Sequence, residues 1–206
     1  EIVGKGTGSF LVGTVSLMPA DNINGWRADT VALLKELNAP VYRWPGGSFV
    51  SGYNWRDGVG DPDRRPPREN PAWKGIEHND VGIHEFISLC REIKAEPFIL
   101  VNTGLAGAKL AAEEVEYVNG GPGTPMGKLR ADNGHPEPFG VKWWGVGNEI
   151  FDQPIAEYVV KHVRVEEAMR AVDPSLQAVA VGSANANEWS KKMLASCANH
   201  MNLIGE

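Results

Sequence analysis

The stretch WWGVGNEIF, residues 143–151, places an asparagine and a glutamate directly after an apolar run of strand length. The run begins at Val141 and ends at Gly147, and a helical pattern follows it. A carboxylate at the end of a buried strand costs free energy unless a partner or a ligand uses it. Asn148 and Glu149 are therefore the first candidates for a functional site.

The chain around this stretch alternates between apolar runs of strand length and helical patterns. Strands are expected at 10–15, 39–44, 97–102, 141–147, 176–182 and 201–205, and helices at 25–37, 81–94, 108–118, 154–172 and 187–199. The strands are continuously apolar, which is typical of parallel strands that helices cover. The alternation predicts an α/β fold.

Two architectures fit this alternation, a doubly wound sheet and a (β/α)8 TIM barrel. The long irregular stretch at 48–79 follows a strand, which places it at the face where barrels carry their active sites and favours the barrel. A complete barrel needs about 250 residues. The 206 residues of this chain therefore predict one incomplete barrel domain over 1–206, with strands seven and eight missing.

The composition excludes several classes of protein. The net charge is −6, and no run of Lys or Arg favours a nucleic-acid surface. No apolar stretch approaches the roughly 20 residues of a membrane span. Cys90 and Cys197 lie in helical patterns far apart in the sequence, so we expect free buried thiols. No signal peptide is visible, which slightly favours the cytoplasm, although the chain begins at Glu1 and not at Met.

A single glutamate after a strand is usually a solvated loop residue, but the surroundings of Glu149 point to chemistry. Gly145 and Gly147 leave room for a ligand beside the strand. Trp143 and Trp144 offer apolar surface, and apolar neighbours raise the pKa of a carboxyl group. A carboxylic acid that is still protonated near neutral pH can protonate a leaving-group oxygen.

The chain from about Val12 onward resembles glycoside hydrolase family 51, the α-L-arabinofuranosidases. The segments that carry the resemblance are VYRWPGGSFVSGYNWRDGVG, PAWKGIEHNDVGIHEF, VNTGL, NGHPEPFGVKWW and WGVGNE. The resemblance implies a (β/α)8 barrel and a retaining exo-acting enzyme that releases terminal α-L-arabinofuranosyl residues from arabinan, arabinoxylan and their oligosaccharides. It implies no metal and no cofactor, and it makes a homo-oligomer of the full-length protein a further expectation.

The resemblance also implies roles for individual residues. Glu149 matches the general acid/base, and Asn148 matches the neighbour that binds the sugar 2-hydroxyl. Arg43 matches an arginine that supports the site, although a structural salt bridge is the alternative. Trp73 matches an aromatic wall of the sugar pocket, with ordinary packing as its alternative. Asn102 is expected to line the site, or else to cap a turn.

Three departures from the family pattern affect these expectations. Ser48 stands where the family usually has asparagine, so a substrate contact there is expected to be weaker or bridged by water. The loop IFDQP after Glu149 is shorter than in close relatives, and the family's early glutamate is not evident near strand one. The family's nucleophile follows strand seven, beyond the six strands counted here, so we expect this segment alone to be inactive.

Three other interpretations remain open. The stretch EHNDVGIHE offers His78, Asp80, His84 and Glu85 as metal ligands, but His78 and His84 are not on one helical face, and Asp80 is better explained as a helix N-cap. A non-catalytic barrel could use the aromatic residues and the asparagine to bind a glycan. A barrel glycosidase with another sugar preference, such as an endoglucanase or xylosidase, is the third.

Overall fold

The computed structural model describes residues 3–13, 15, 17–184 and 187–205, with the backbone alone at Asn187. Within these residues the strands are β1 (Val41–Trp44), β2 (Arg68–Asn70), β3 (Gly75–Glu77), β4 (Glu96–Val101), β5 (Trp143–Val146), β6 (Gln177–Val181) and β7 (Leu203–Gly205). Five of them form a parallel sheet in the order β1-β4-β5-β6-β7. The strands therefore lie side by side in the order in which the chain reaches them.

The helices within the same residues are α1 (Ala28–Leu37), α2 (Ile83–Ile93), α3 (Ala108–Asn119), α4 (Pro125–Asp132), α5 (Ile155–Val172) and α6 (Asn187–Cys197). At least one of them follows each of the first four strands of the parallel sheet before the chain returns to the next strand. This strand–helix alternation confirms the expected α/β class.

The two faces of the parallel sheet have different surroundings. Alternate side chains such as Ile99, Trp144 and Ala178 are fully buried on the helix side, in one cluster with Ile83 of α2 and Val165 of α5. Full burial of one large apolar side chain stabilises a fold by about 1.5–3 kcal/mol. This packing holds the strands, and so fixes where their carboxyl ends lie.

The expected strand at 10–15 is wrong. Residues 10–13 and 15 belong to no strand, and Thr14 lies outside the described residues. The side chains of Phe10, Leu11 and Val12 are exposed. A strand forms only where another strand offers free backbone groups, and no described segment pairs with the outer edge of β1. The parallel sheet therefore contains five of the six expected strands.

The stretch at 48–79 has more regular structure than expected. It holds short 3-10 turns and the antiparallel hairpin formed by β2 and β3. Arg65 anchors the stretch, because its buried guanidinium donates to Glu85 at 2.8 Å and to the carbonyl oxygens of Gly60 and Asn79. The second long loop, which the sequence predicts to reach residue 140, also contains a helix, α4.

Two smaller expectations can be compared with the structure. Cys90 and Cys197 are free and buried, as expected. In the part of the chain that the structure describes, no helix has both the length and the apolar character that crossing a membrane requires.

Candidate active site at the carboxyl ends of the strands

The chain turns sharply where β5 ends. Gly147 has a φ of 91°, and Glu149 has a φ of 43°, so both adopt left-handed backbone. A Cβ atom at position 147 would overlap Oγ1 of Thr103 and the side chain of Ile150. Glycine is therefore required at 147 for the backbone to pass close to Thr103 and bring Asn148 and Glu149 to the end of the strand.

Arg43 and Asn148 meet at this end of the sheet. Nη1 of Arg43 donates to Oδ1 of Asn148 at 3.0 Å. Asn148 is 5% exposed, and its Nδ2 is a buried donor with no partner among the described residues. A buried donor that has no partner costs free energy, so this amide is arranged to donate to a group that the described residues do not supply.

Glu149 and Asn148 line one cleft of about 390 Å³ on the face of the sheet that the helices do not cover. The wall includes Arg43 of β1, residues of β4 and β6, and Gly205 of β7. Glu149 itself is exposed to solvent. The structure thus gathers the candidate acid, the amide donor and the guanidinium around one space.

The apolar surroundings expected for Glu149 are not provided by the two tryptophans before it, and that expectation is wrong. Trp144 is fully buried on the helix side, where its Nε1 donates to the carbonyl oxygen of Val141. Trp143 does not line the cleft. Period-two alternation along a strand explains the burial of Trp144, because successive side chains point to opposite faces. Trp143 shares the face of Gly145, which lines the cleft, but stands two residues nearer the start of the strand.

Asn102 follows β4 and organises the loop after it. Its Nδ2 donates to the carbonyl oxygen of Tyr53 at 2.9 Å, and its Oδ1 accepts from the N–H groups of Gly104 and Ala106. These contacts match the turn-capping alternative. The contact of Asn102 with a substrate stays a prediction.

Ser48 and Trp73 lie near the Pro-Gly-Gly turn after β1 and do not line the cleft that holds Glu149. Ser48 lines a second cavity, of about 440 Å³, which also has residues of the β2–β3 hairpin in its wall. Trp73, in the hairpin turn, is exposed, and its ring lies 3.1 Å from where a Cβ of Gly47 would stand. Their roles in binding a sugar stay predictions.

The residues of the metal alternative are engaged elsewhere. Nε2 of His84 lies 2.8 Å from the hydroxyl of Tyr117, and Glu85 pairs with Arg65. The N-cap of α2 is Gly82 and not Asp80 as expected, and the N–H of Gly82 donates to Glu85 at 2.8 Å. Within the described residues no group of three or more His, Cys, Asp or Glu side chains could hold a metal ion.

Sequence reasoning missed the contribution of the next two strands to the cleft. Val181 and Ser183 at the end of β6, and Gly205 of β7, line it together with Glu149. No sequence motif marks these positions, but their place beside Glu149 follows from the parallel pairing of the strands. Parallel strands bring their carboxyl ends to one edge, so the residues that end neighbouring strands share a space.

Known proteins match both the sequence and the fold. The family model for the α-L-arabinofuranosidase 1 domain matches residues 33–202. An intracellular exo-α-(1→5)-L-arabinofuranosidase 1 of Bacillus subtilis is 38% identical over 197 residues, which cover 90% of this chain and 39% of that protein. A probable α-L-arabinofuranosidase C of Aspergillus terreus is 40% identical and covers 87% of this chain and 37% of its own length.

Solved structures give the same result. The α-L-arabinofuranosidase of Thermotoga maritima, solved as an arabinose complex, has a TM-score of 0.84 at 38% identity, covering 88% of this chain and 39% of that one. The family 51 arabinofuranosidase of Xanthomonas axonopodis has a TM-score of 0.86 at 31% identity, with coverages of 94% and 40%. The chain therefore spans about two fifths of the length of the relatives it matches.

Fold and sequence together define the chain as a partial (β/α)8 barrel of the glycoside hydrolase class, as expected. Within that class, the chain belongs to family 51, the α-L-arabinofuranosidases.

Proposed function

We propose that the full-length protein is a retaining, exo-acting α-L-arabinofuranosidase. It releases terminal α-L-arabinofuranosyl residues from arabinan, arabinoxylan and their oligosaccharides. Residues 1–206 form part of its single catalytic barrel. The observation that carries the proposal is the cleft in which Glu149, the unpaired amide of Asn148 and the guanidinium of Arg43 come together.

Glu149 acts first as a general acid and then as a general base. It protonates the glycosidic oxygen while a second carboxylate, about 5 Å away in retaining enzymes, attacks the anomeric carbon and forms a glycosyl-enzyme. Glu149 then removes a proton from the water that hydrolyses this intermediate. The second carboxylate comes from the part of the protein beyond these residues.

Asn148 and Arg43 act as a pair. The guanidinium donates to Oδ1 of Asn148 at 3.0 Å and so fixes which way the amide faces. The free Nδ2 then donates to the sugar 2-hydroxyl, a contact that strengthens as positive charge develops on the ring in the transition state. No metal or cofactor is needed for this chemistry.

The other predicted residues have supporting roles in the proposal. Trp73 forms an aromatic wall that the hairpin turn brings toward the sugar, and Ser48 contacts a hydroxyl directly or through water. Asn102 shapes the loop after β4, which borders the site. The relatives named intracellular favour a cytoplasmic enzyme, and homo-oligomerisation is a further proposal.

The test is Glu149→Ala in the full-length protein, assayed on arabinofuranosides with good and poor leaving groups. Activity on a poor leaving group should fall by about 100-fold or more, and activity on a nitrophenolate leaving group much less, because only the poor one needs the acid. Glu157→Gln, an exposed glutamate in the first turn of α5, is the matched control and should leave both rates unchanged. Equal losses on the two substrates contradict the acid role.

The side chain of Glu149 is exposed, which is also compatible with a second function, that of a barrel that binds a glycan without cleaving it. Wild-type full-length protein that binds arabino-oligosaccharides in calorimetry but releases no arabinose would support that rival. A glycosidase with another preference would instead hydrolyse nitrophenyl xyloside or glucoside faster than the arabinofuranoside. Either result would contradict the proposed arabinofuranosidase activity and support the corresponding other function.

A further inference from the structure

We propose that Tyr158 is a positioning residue for Glu149, and this inference rests on the proposed function. Tyr158 is fully buried in α5, on the helix side of the sheet, and does not itself line the cleft. Its hydroxyl holds the end of β5, from which Asn148 and Glu149 project.

The hydroxyl of Tyr158 lies where two strands separate. Pairing between β5 and β6 ends at Gly145 and Val179. One residue further along β5, the carbonyl oxygen of Val146 accepts a hydrogen bond from Oη of Tyr158 at 2.5 Å. Oη in turn accepts a longer one, at 3.5 Å, from the N–H of Val181, the last residue of β6. The side chain thus replaces the strand pairing at the edge of the site.

The hydrogen bond to the carbonyl oxygen of Val146 lies only three residues before Glu149, whose carboxyl group it positions. The carbonyl of Val146 belongs to the peptide plane that leads into Gly147, whose φ of 91° sets the turn toward Asn148 and Glu149. Glycine restrains its own backbone dihedral angles less than any other residue. A contact from outside the turn is therefore needed to fix the conformation of the turn. A tilt of the Val146 peptide would move the carboxyl group of Glu149 away from the glycosidic oxygen.

Tyr158 is itself rigidly held. Its ring stacks on Trp189 of α6 with centroids 5.5 Å apart and 25° between the planes. Nε2 of His162 lies 2.9 Å from the carbonyl oxygen of His200, which can only accept, so Nε2 carries the proton. Nδ1 of the neutral imidazole then lies 3.5 Å from the Tyr158 hydroxyl as a packing contact, because the single hydroxyl proton is donated to Val146. Burial also raises the pKa of Tyr158, so the hydroxyl keeps its proton.

The support continues along the same face of α5. Tyr158, His162, Glu166 and Arg170 follow one another at intervals of four residues, which places them in one row. Glu166 contacts Nδ1 of His200 at 2.9 Å and pairs with Arg170. Arg170 donates to Asn202 at 2.8 Å. This polar row ties α5 to the segment before β7, and so fixes the rotation of the helix that carries Tyr158.

The test is Tyr158→Phe in the full-length protein, which keeps the ring on Trp189 and removes the hydroxyl alone. kcat on an arabinofuranoside with a poor leaving group should fall by roughly tenfold, since a small misplacement of a reacting group costs one to two powers of ten. KM should change less than about twofold, because substrate contacts made before the transition state remain. On a substrate with a good leaving group, which does not need the general acid, kcat should fall by a clearly smaller factor.

Tyr117→Phe is the matched control. Tyr117 is also fully buried, and its hydroxyl has two partners, His84 and Asn133, but it lies in α3 outside the cleft. Tyr117→Phe should lower the melting temperature without changing the ratio of rates on the two substrates. A Tyr158→Phe variant that behaves like this control, with stability lost and the ratio kept, overturns the positioning role.

A second variant covers the case in which Tyr158→Phe does not fold. His162→Gln removes the imidazole beside the hydroxyl and leaves the Val146 contact in place, so a smaller loss with the same leaving-group dependence is expected. An unchanged ratio in that variant counts against the inference. The proposed function fails separately: a wild-type protein without arabinofuranosidase activity, or equal losses in Glu149→Ala, removes the acid role itself.

Discussion

Arg43 and Asn148 are joined by a 3.0 Å hydrogen bond although a whole strand, β4, lies between the strands that carry them. The arginine side chain reaches across the end of β4 toward the asparagine, because the two side chains and the hydrogen bond between them together span two inter-strand spacings of about 4.8 Å each. The pair therefore depends on all three strands keeping their register, and it couples the geometry of the site to the packing of the sheet.

Arg43→Lys should lower kcat/KM of the full-length protein by about 10- to 100-fold, the factor expected when a hydrogen bond from a charged group is lost. A lysine cannot reproduce the fork of the guanidinium, so the amide of Asn148 would no longer be held in one orientation. Steady-state kinetics on nitrophenyl arabinofuranoside measure the effect. Arg164→Lys, at an exposed position of α5, serves as control. Unchanged kcat/KM in Arg43→Lys would mean that the pair does not orient the substrate.

Gly147→Ala should destabilise the protein more than Gly134→Ala. The two glycines have nearly equal φ values, 91° and 90°, but a Cβ at 134 meets nothing within 4 Å, whereas one at 147 overlaps Thr103 and Ile150. The backbone strain alone costs about 1–2 kcal/mol, and the overlap should add about 1–3 kcal/mol at position 147. Urea unfolding of both variants separates the backbone strain from the steric overlap. Equal losses in the free energy of unfolding would show that the turn around position 147 relaxes and avoids the overlap.

Arg65→Leu should destabilise the protein by about 3 kcal/mol or more, because it leaves a carboxylate without its buried partner. The Arg65 side chain is 2% exposed and its partner Glu85 is 24% exposed. Arg27→Leu is the matched control, since Arg27 pairs with Asp29 on the open surface, where solvent screens the pair and its contribution to stability is small. Calorimetric melting compares the two variants; similar shifts in melting temperature would contradict a structural role for the buried pair.

The environment of His84 makes stability depend on pH. Burial, and after it the neighbouring His135, whose ring centroid is 4.1 Å away, lower the pKa of His84 to about 4. Glu85 opposes the shift, while Arg65 and Arg130 add to it. Tyr117 donates to Nε2, the nitrogen that must stay unprotonated.

Because the pKa of His84 is lower in the folded protein than the ordinary value of about 6.5, the unfolded chain takes up the proton first. The contribution of His84 to stability is therefore complete above pH 6.5 and is lost as the pH falls toward 4, by an amount on the order of 2 kcal/mol. Urea unfolding between pH 4 and 8 should show this slope. His84→Gln should flatten it, and His78→Gln, at an exposed histidine, should not. If the dependence of stability on pH persists in His84→Gln, other titratable groups cause it.

Much of the fold could be predicted because apolar runs and helical periods are local signals. The five strands of the parallel sheet and the helices after them follow these patterns closely. The segment at 10–15 has the same apolar pattern but forms no strand in its described residues, because pairing depends on a neighbouring edge and not on the segment itself. The hairpin at 68–77 carries no strong strand pattern, and the buried Arg65 that anchors the surrounding stretch cannot be recognised from sequence alone.

The candidate site divides in the same way. Asn148 and Glu149 could be found because they directly follow a glycine-containing apolar run and stand in the segment WGVGNE, which carries part of the family resemblance. The direction of Trp144 could not, since the choice between the two faces of a strand depends on where the helices pack. Tyr158 and the polar row behind it were invisible to a search for apolar periodicity, which treats inward-facing polar residues as solvent-exposed.

The wall of the cleft is assembled from residues of five separate strands and of the turns that follow them. Replacement of Phe98 or Leu100 of β4 alters one side of this space and leaves Ile99 and Val101, which pack on the opposite face, in place. Such a division allows one side of the cleft to change shape in small independent steps, while Asn148 and Glu149 stay where they are.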